Sequence, residues 1–264
     1  MMELNFVQRG QGKPLLLIHG LGGNWRSWET ILDDLAAERA VIAIDLPGFG
    51  ETPPLPGEVS IATLADAIAA FLIEHDLDGV DVVGSSMGAR LALELARRGM
   101  VGATVALDPG GFWNTWQRGF FGATIGLSIR LVRLLQPLMP VITGSPLGRT
   151  LLFAQFSARP WRLSPTVTLH EMQSYAAAPS LDAALHALVH GPTQRGLAAQ
   201  AMRGPITIVW GRDDRVCLPG QAELALARFP GARLVWFDAC GHFPYWDRPQ
   251  ETTRLILDNT GQTR

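Results

Sequence analysis

Short apolar runs alternate with helix-like segments along the chain. Continuous runs of this kind suit strands that are buried on both faces of a sheet. The runs cover Pro14 to His19, Ala40 to Ile44, Val80 to Gly84, Ala103 to Leu107, Ile206 to Trp210 and Leu234 to Phe237. Helical patterns cover Trp28 to Arg39, Ile61 to His75, Met87 to Arg98 and Gln221 to Phe229. The alternation predicts an α/β fold with a mostly parallel, doubly wound sheet.

One interval breaks this alternation. Residues 111–204 contain no convincing strand, only helix-like segments rich in Leu, Ala and aromatic residues. An insertion between two strands of a doubly wound sheet lies beyond their carboxyl ends, where ligands bind in such folds. We therefore predict a core domain made of residues 1–110 and 205–264, with residues 111–204 inserted as a helical cap.

Composition limits the classes of partner and the compartment. The 22 Lys and Arg residues nearly balance 24 Asp and Glu residues, which argues against a nucleic-acid-binding protein. Two cysteines, and an N-terminus without the features of a secretory signal, favour a reduced, cytoplasmic setting. Arginines and prolines interrupt the most membrane-like stretch, Ile125 to Ile142. We therefore expect buried or interfacial helices there, and no stable membrane insertion.

The strongest local motif is Gly84-Ser85-Ser86-Met87-Gly88, placed where a predicted strand gives way to a helix. This is the G-x-S-x-G pattern of a nucleophile elbow. The turn is so tight that side chains two residues either side of Ser86 would collide with the neighbouring strand and helix, and glycine removes the collision. Ser86 is therefore the candidate nucleophile, and the Met87 amide is a candidate donor to an oxyanion.

A serine nucleophile needs a base and an acid that orients the base. His242 lies on a glycine-bearing loop after the last predicted strand and is the candidate base. Asp214 is preferred over Asp213 as the acid because it lies deeper in the loop after its strand, and Asp108 is a third candidate. His19, at the end of the first buried strand, is expected to brace the loop that follows it.

The loop His19-Gly20-Leu21-Gly22-Gly23 is predicted to supply the second oxyanion donor, through the Leu21 amide. It does not complete a dinucleotide fingerprint, because Trp25 occupies the position of the third glycine. No His, Cys or carboxylate cluster has metal-ligand spacing along the sequence. We therefore expect neither a metal nor a cofactor.

Taken together, the ordered motifs resemble those of the α/β-hydrolase family. They are His19 to Gly23, Asp45-Leu46-Pro47-Gly48-Phe49-Gly50, Gly84 to Gly88, Gly211-Arg212-Asp213-Asp214 and Gly241-His242. The resemblance implies a Ser86, His242 and Asp214 triad with an oxyanion hole at Leu21 and Met87. It also implies Asp214 rather than Asp213 as the acid, and a helical cap after the strand that ends near Leu107.

The expected activity is hydrolysis of an ester, lactone or thioester of a medium-sized, largely apolar small molecule. Within the family, Trp210 to Arg215, Ser86 to Gly88 and Trp246 are similar to hydrolases of carbon-carbon bonds in meta-cleavage products, which is the alternative activity. A non-catalytic protein that binds a hydrophobic ligand is a third hypothesis. Trp113, Trp116, Phe243 and Trp246 are the candidate substrate-binding residues, and a homodimer is left open.

Overall fold

The computed structural model describes residues 3–261, so residues 1–2 and 262–264 of the predicted core domain lie outside the described part. Seven strands form one sheet in the order β1-β3-β2-β4-β5-β6-β7. The strands are β1 Phe6–Arg9, β2 Pro14–Ile18, β3 Ala40–Ile44, β4 Asp81–Ser85, β5 Thr104–Leu107, β6 Ile206–Gly211 and β7 Arg233–Phe237. Only the β1 and β3 pair is antiparallel. The predicted doubly wound, mostly parallel sheet is confirmed.

Helices flank both faces of the sheet because successive strand residues point to opposite sides. The helices are α1 Leu32–Ala36, α2 Ile61–Glu74, α3 Met87–Arg97, α4 Thr115–Leu134, α5 Met139–Gly144, α6 Pro146–Phe153, α7 Pro165–Ala177, α8 Leu181–His190, α9 Ala222–Arg228, α10 Pro244–Asp247 and α11 Pro249–Asn259. Residues Leu16 and Ile18 of β2 pack with α2 and α3. Their neighbours Leu15 and Leu17 pack with α1 and α11 on the other face.

Two elements differ from the sequence-based expectation. The edge strand β1 has no counterpart among the predicted apolar runs, because Phe6 and Val7 are only half-buried while Gln8 and Arg9 are exposed. The helix predicted from Trp28 to Arg39 is also wrong in extent. The chain there forms a 3-10 turn from Trp25 to Trp28, capped by Asn24, and then the short helix α1.

Between β5 and β6 the described chain contains helices α4 to α8 and no strand. We refer to residues 111–204 as the insertion. The membrane-like stretch that begins at Ile125 is divided by a break after α4, with a 3-10 turn over Gln136–Leu138 before α5. Within residues 3–261 no single helix has the length and apolar character to cross a membrane. Thr115–Leu134 and Gln136–Gly144 reach those limits only as a pair bent by 67°.

Candidate active site

Ser86 lies at the sharp turn between β4 and α3. Its backbone φ is +55° and its ψ is −112°, a conformation that non-glycine residues rarely adopt. The flanking glycines leave no room for a side chain. A Cβ on Gly84 would lie 2.2 Å from the Gly88 carbonyl oxygen, and a Cβ on Gly88 would lie 2.1 Å from the Ile18 carbonyl oxygen. The strain therefore presents one side chain, that of Ser86, where β4 gives way to α3.

His242 and Asp214 meet at the same edge of the sheet although 28 residues separate them. The His242 Nδ1 atom lies 2.9 Å from Asp214 Oδ2, and both side chains are almost fully buried. The other carboxylate oxygen, Asp214 Oδ1, accepts hydrogen bonds from the backbone amides of Val216 at 2.7 Å and Cys217 at 3.1 Å. A carboxylate held in this way orients the imidazole with its Nδ1 proton toward Asp214, which leaves Nε2 free to act as a base.

Gly20 lies between Ser86 and Phe243, the residue that follows His242. A Cβ on Gly20 would lie 3.2 Å from Ser86 Cβ and 3.9 Å from the Phe243 ring, so both side chains border the same small space. The Phe243 and His242 rings are 4.8 Å apart between centroids. The structure thus brings Ser86 to the neighbourhood of His242, although no hydrogen bond joins the two side chains within residues 3–261.

The loop after β2 lies beside Ser86, with Gly20 close to the serine Cβ atom. Its Gly22 has a φ of +81°, and its Gly23 amide closes a turn onto the Gly20 carbonyl oxygen at 3.2 Å. In the described part of the chain, neither the Leu21 nor the Met87 amide donates a hydrogen bond to another protein group. Both amides of the predicted oxyanion hole are therefore available to a substrate oxygen.

His19 braces this loop, as the sequence suggests. Its Nε2 accepts a hydrogen bond from the Leu46 amide at 3.0 Å, so the ring proton is on Nδ1, which donates to the Gly20 carbonyl oxygen at 2.7 Å. Burial lowers the pKa of His19, although the Asp45 charge opposes the shift. A neutral imidazole therefore ties the loop carrying Gly20 to the loop that follows β3.

The three candidate acids occupy different environments. Asp213 is exposed, whereas Asp214 is buried against His242. Asp108 is also buried, with a φ of +47°, and its Oδ1 accepts a hydrogen bond from the Gly211 amide at 2.8 Å. Burial, helped by the neighbouring Asp214 charge, raises the pKa of Asp108 well above its ordinary value. The shift favours the protonated form of Asp108, whereas the Asp214 carboxylate is held by hydrogen bonds from the Val216 and Cys217 amides.

The insertion is joined to the site by contacts that sequence analysis missed. The Phe156 carbonyl oxygen accepts the His242 backbone N–H at 2.8 Å. The Asp247 carboxylate accepts hydrogen bonds from the Ser157 hydroxyl at 2.5 Å and from the Ala158 and Gly241 amides at 2.8 and 2.7 Å. The available signal in the sequence was Asp247, an acidic residue shortly after His242, but its two partners in the insertion, Ser157 and Ala158, precede it by 90 and 89 residues.

A second set of contacts holds α7 over the oxyanion loop. The Ser174 hydroxyl donates to the Gly22 carbonyl oxygen at 3.1 Å and accepts from the Asn24 side-chain amide at 3.0 Å. The Tyr175 ring lies so close that a Cβ on Gly22 would be 2.0 Å from its Cδ2 atom. The insertion therefore contacts both the His242 loop and the loop after β2, and Ser86 is only 8% exposed.

The four predicted substrate-binding aromatics do not share one location. Phe243 packs against His242, and Trp246 packs against Phe243 with a centroid separation of 4.5 Å. Trp113 is buried beside Gly110 and stacks on Phe121. Trp116 is 66% exposed and stacks on Phe120, so this conformation does not bring it to the buried site.

Asp214, Cys217 and His242 form a group that the sequence spacing did not reveal. One ligand-type atom of each lies within 4.8 Å of the others, which satisfies the distance requirement for a metal site. Burial, together with the Asp214 charge, raises the pKa of Cys217 well above its ordinary value. A protonated thiol is a poor metal ligand, and the Asp214 oxygens already accept three hydrogen bonds. These residues fit a hydrogen-bonded acid-base pair better than a metal centre.

A doubly wound sheet with a serine at a strained strand-to-helix turn and a buried His-Asp pair at the same edge defines a protein of the hydrolase class. Residues 15–255 match the family model described as the alpha/beta hydrolase family. The chain therefore belongs to the alpha/beta hydrolase family, as its motifs indicate.

Similar proteins have several activities. The chain is 29% identical to the dihydrolipoyllysine-residue acetyltransferase component of an acetoin cleaving system from Cupriavidus necator, over 98% of this chain and 67% of that protein. It is 27% identical to 2-hydroxy-6-oxo-2,4-heptadienoate hydrolase from Pseudomonas putida, over 97% of this chain and 92% of that one. A thermophilic esterase from Thermogutta terrifontis has a similar fold, with a TM-score of 0.76 and 23% identity over 97% of this chain and 92% of that one.

Proposed function

We propose that the protein is a serine hydrolase that transfers an acyl group to water through Ser86, His242 and Asp214. The observation that carries the proposal is the 2.9 Å contact between His242 Nδ1 and Asp214 Oδ2, next to a serine held at a φ of +55°. A free serine hydroxyl is a weak nucleophile. A positioned imidazole at the same sheet edge is the group that activates it.

In the proposed reaction, Ser86 Oγ attacks the substrate carbonyl carbon while His242 Nε2 takes the hydroxyl proton. Asp214 keeps the imidazole in the required tautomer and stabilises the imidazolium that forms. The Leu21 and Met87 amides hold the developing oxyanion, and loss of one such donor costs about 3 kcal/mol of barrier. The protonated His242 then gives its proton to the leaving group, and afterwards activates the water that cleaves the acyl-enzyme.

The proposed substrate is a medium-sized, largely apolar ester, lactone or thioester. Support comes from the apolar surroundings of the site, where Phe243 and Trp246 pack beside His242 and the Tyr175 ring lies against Gly22. We propose that the insertion acts as a cap, because Phe156, Asp247 and Ser174 join it to both loops of the site. A capped apolar site excludes water and favours apolar acyl groups.

A second candidate is hydrolysis of a carbon-carbon bond in a vinylogous diketone acid. It is favoured by the similarity over nearly the full length of both chains to the Pseudomonas putida 2-hydroxy-6-oxo-2,4-heptadienoate hydrolase. The same triad would act on a ketone carbonyl. Incubation with a yellow dienol substrate separates the two activities, because carbon-carbon cleavage bleaches the dienol and releases a carboxylate, whereas an esterase leaves it unchanged.

Labelling with a fluorophosphonate probe, followed by peptide mass mapping, tests the nucleophile. We expect modification at Ser86 that is lost in Ser86→Ala and His242→Ala. Ser85→Ala is the matched control, because Ser85 is a buried serine one residue away whose hydroxyl faces Tyr245. Ester turnover should fall at least about 10⁴-fold in Ser86→Ala. Absence of labelling in the folded wild type would support the third hypothesis, a binding protein without turnover.

A further inference from the structure

The insertion exposes apolar side chains that the fold does not use. Of the eleven large hydrophobic residues that are exposed among residues 3–261, nine lie between Trp116 and Trp161. Leu134 is 74% exposed, Val141 73% and Leu151 75%. Scattered single apolar residues are normal on a protein surface, but a concentration within one segment marks an interaction surface.

On α4 these residues form a stripe. Trp116, Ala123, Leu127, Leu131 and Leu134 follow each other at intervals of three, four or seven residues and are all exposed. Phe121, Ile125, Ile129 and Val132 form the opposite, buried face. This spacing places the two sets on different sides of one helix. The inner side of α4 therefore packs into the core, and its outer side presents leucines to solvent.

The stripe continues onto neighbouring elements. The Gln155 side-chain amide donates to the Thr124 hydroxyl at 2.9 Å, which places the chain just after α6 beside the middle of α4. On α6, Leu147 and Leu151 are exposed, and α5, which packs against α6, exposes Val141. We call the exposed apolar residues of α4, α5 and α6 the outer apolar face.

Charge on this segment has one sign. Residues 115–162 contain six arginines and no aspartate or glutamate, in a chain whose net charge is −2. Arg149 is buried and donates to backbone carbonyls, and Arg133 pairs with Asp182. Arg118, Arg130, Arg159 and Arg162 form no ion pair within residues 3–261, and Arg130 and Arg162 are exposed. The outer apolar face is therefore accompanied by unneutralised positive charge.

We propose that the outer apolar face docks the protein onto an anionic lipid surface, with α4, α5 and α6 lying in the headgroup region and not spanning it. Exposed leucines with a tryptophan, beside arginines, have the composition of helices that lie in a bilayer interface. Anionic headgroups would neutralise the arginines. A second copy of the chain is disfavoured on this face, because a symmetric contact would bring two acid-free, arginine-bearing segments together.

Flotation with phospholipid vesicles tests the proposal on the full-length protein. We expect binding to vesicles of phosphatidylcholine with phosphatidylglycerol that is at least about tenfold tighter than binding to phosphatidylcholine alone. The double substitution Leu127→Glu and Leu131→Glu should weaken that binding at least about tenfold. Arg130→Gln with Arg162→Gln should weaken it and reduce its dependence on salt.

Ile73→Glu with Leu224→Glu is the matched control, because Ile73 and Leu224 are 72% and 36% exposed on α2 and α9, outside the insertion, and the pair gains the same two charges. This variant should float like the wild type. Equal binding to both vesicle types, or binding unaffected by the two leucine substitutions, would overturn the proposal. So would a wild type that ignores vesicles but forms dimers that the same leucine substitutions dissolve in sedimentation velocity, because the partner would then be a second copy. Vesicle binding is measured without turnover, so its outcome is independent of the proposed hydrolysis.

Discussion

The sheet edge around Ser86 buries polar side chains, whereas the outer apolar face exposes apolar ones. Ser86, Asp214 and His242 are 8%, 2% and 1% exposed, although all three are polar. On the outer apolar face, Leu134 and Leu151 are about three-quarters exposed, although both are apolar. The difference in burial shows that the fold constrains the residues at the sheet edge more than those on the outer apolar face. At the edge, hydrogen bonds position the Asp214 carboxylate and the His242 ring, whereas the exposed leucines of the outer apolar face contribute little to the fold.

The two buried carboxylates of the edge, Asp214 and Asp108, have different hydrogen-bond partners, the His242 ring and the Gly211 amide. Asp214→Asn should reduce kcat/KM for an ester about 10⁴-fold, because an amide cannot hold the imidazole in the catalytic tautomer. Asp108→Asn should change it less than about tenfold. Burial and the Asp214 charge raise the pKa of Asp108 and so favour its uncharged form, which an amide resembles, and the asparagine oxygen can still accept the hydrogen bond from the Gly211 amide.

Steady-state kinetics on the two variants, with circular dichroism to compare their folding, measure the difference. A collapse of activity in Asp108→Asn equal to that in Asp214→Asn would reverse the assignment. Asp108 would then be the acid that supports His242, as the sequence alone allowed.

Replacing one glycine in each region by alanine compares how strongly the sheet edge and the outer side of α4 constrain the backbone. Gly88→Ala should lower the free energy of unfolding by more than about 2 kcal/mol, because the new Cβ would lie 2.1 Å from the Ile18 carbonyl oxygen. Gly119→Ala, on the exposed side of α4, has nothing within 4 Å of its Cβ and should stabilise by up to about 1 kcal/mol. Urea denaturation of both variants measures the two values. A similar cost at both positions would mean that the outer side of α4 is as constrained as the edge.

The parts of the molecule that sequence predicted are those where one physical requirement dominates. Runs such as Ala40 to Ile44 are buried on both faces, so apolarity alone marks the strand. A side chain at position 88 would collide with the Ile18 carbonyl oxygen, so the turn requires the glycine that makes the G-x-S-x-G motif recognisable. The edge strand β1 was missed because its burial is partial. Contacts between distant segments, such as Asp247 with Ser157, leave no local pattern.

The outer apolar face could not be predicted from the sequence either. A helical period of leucines and aromatics predicts which residues share a helix face, but it does not say which face the rest of the protein covers. Phe121 is buried and Trp116 is exposed on the same helix, and only the packing of α7 and α8 against α4 decides between them. Substrate-binding roles assigned to aromatics from sequence therefore carry less weight than the glycine-bearing motifs.

A pH-dependent effect on stability is expected at the contact between α7 and the core. Burial raises the pKa of Glu171, on α7, to about 7, the nearby Glu29 charge adds to the shift, and the Ser27 hydroxyl opposes it. Because the folded-state pKa is above the unfolded one, the protonated form favours folding. The penalty for ionisation is absent below the unfolded pKa, near 4.5, grows as pH rises, and is complete above about 7.

Glu171→Gln should therefore stabilise the protein at pH 8 by about 1–2 kcal/mol, a value reduced for the partial exposure of this side chain, and should have little effect at pH 4.5. Urea denaturation at both pH values measures the difference, and Glu74→Gln, at an exposed position of α2, controls for the loss of one negative charge. An equal effect of Glu171→Gln at both pH values would show that α7 packs on the core without a buried ionisable group. The side of the insertion that faces the core would then tolerate a charged group as well as its exposed side does. The two sides would differ only in their hydrogen bonds to the core, such as that from Ser174 to Gly22.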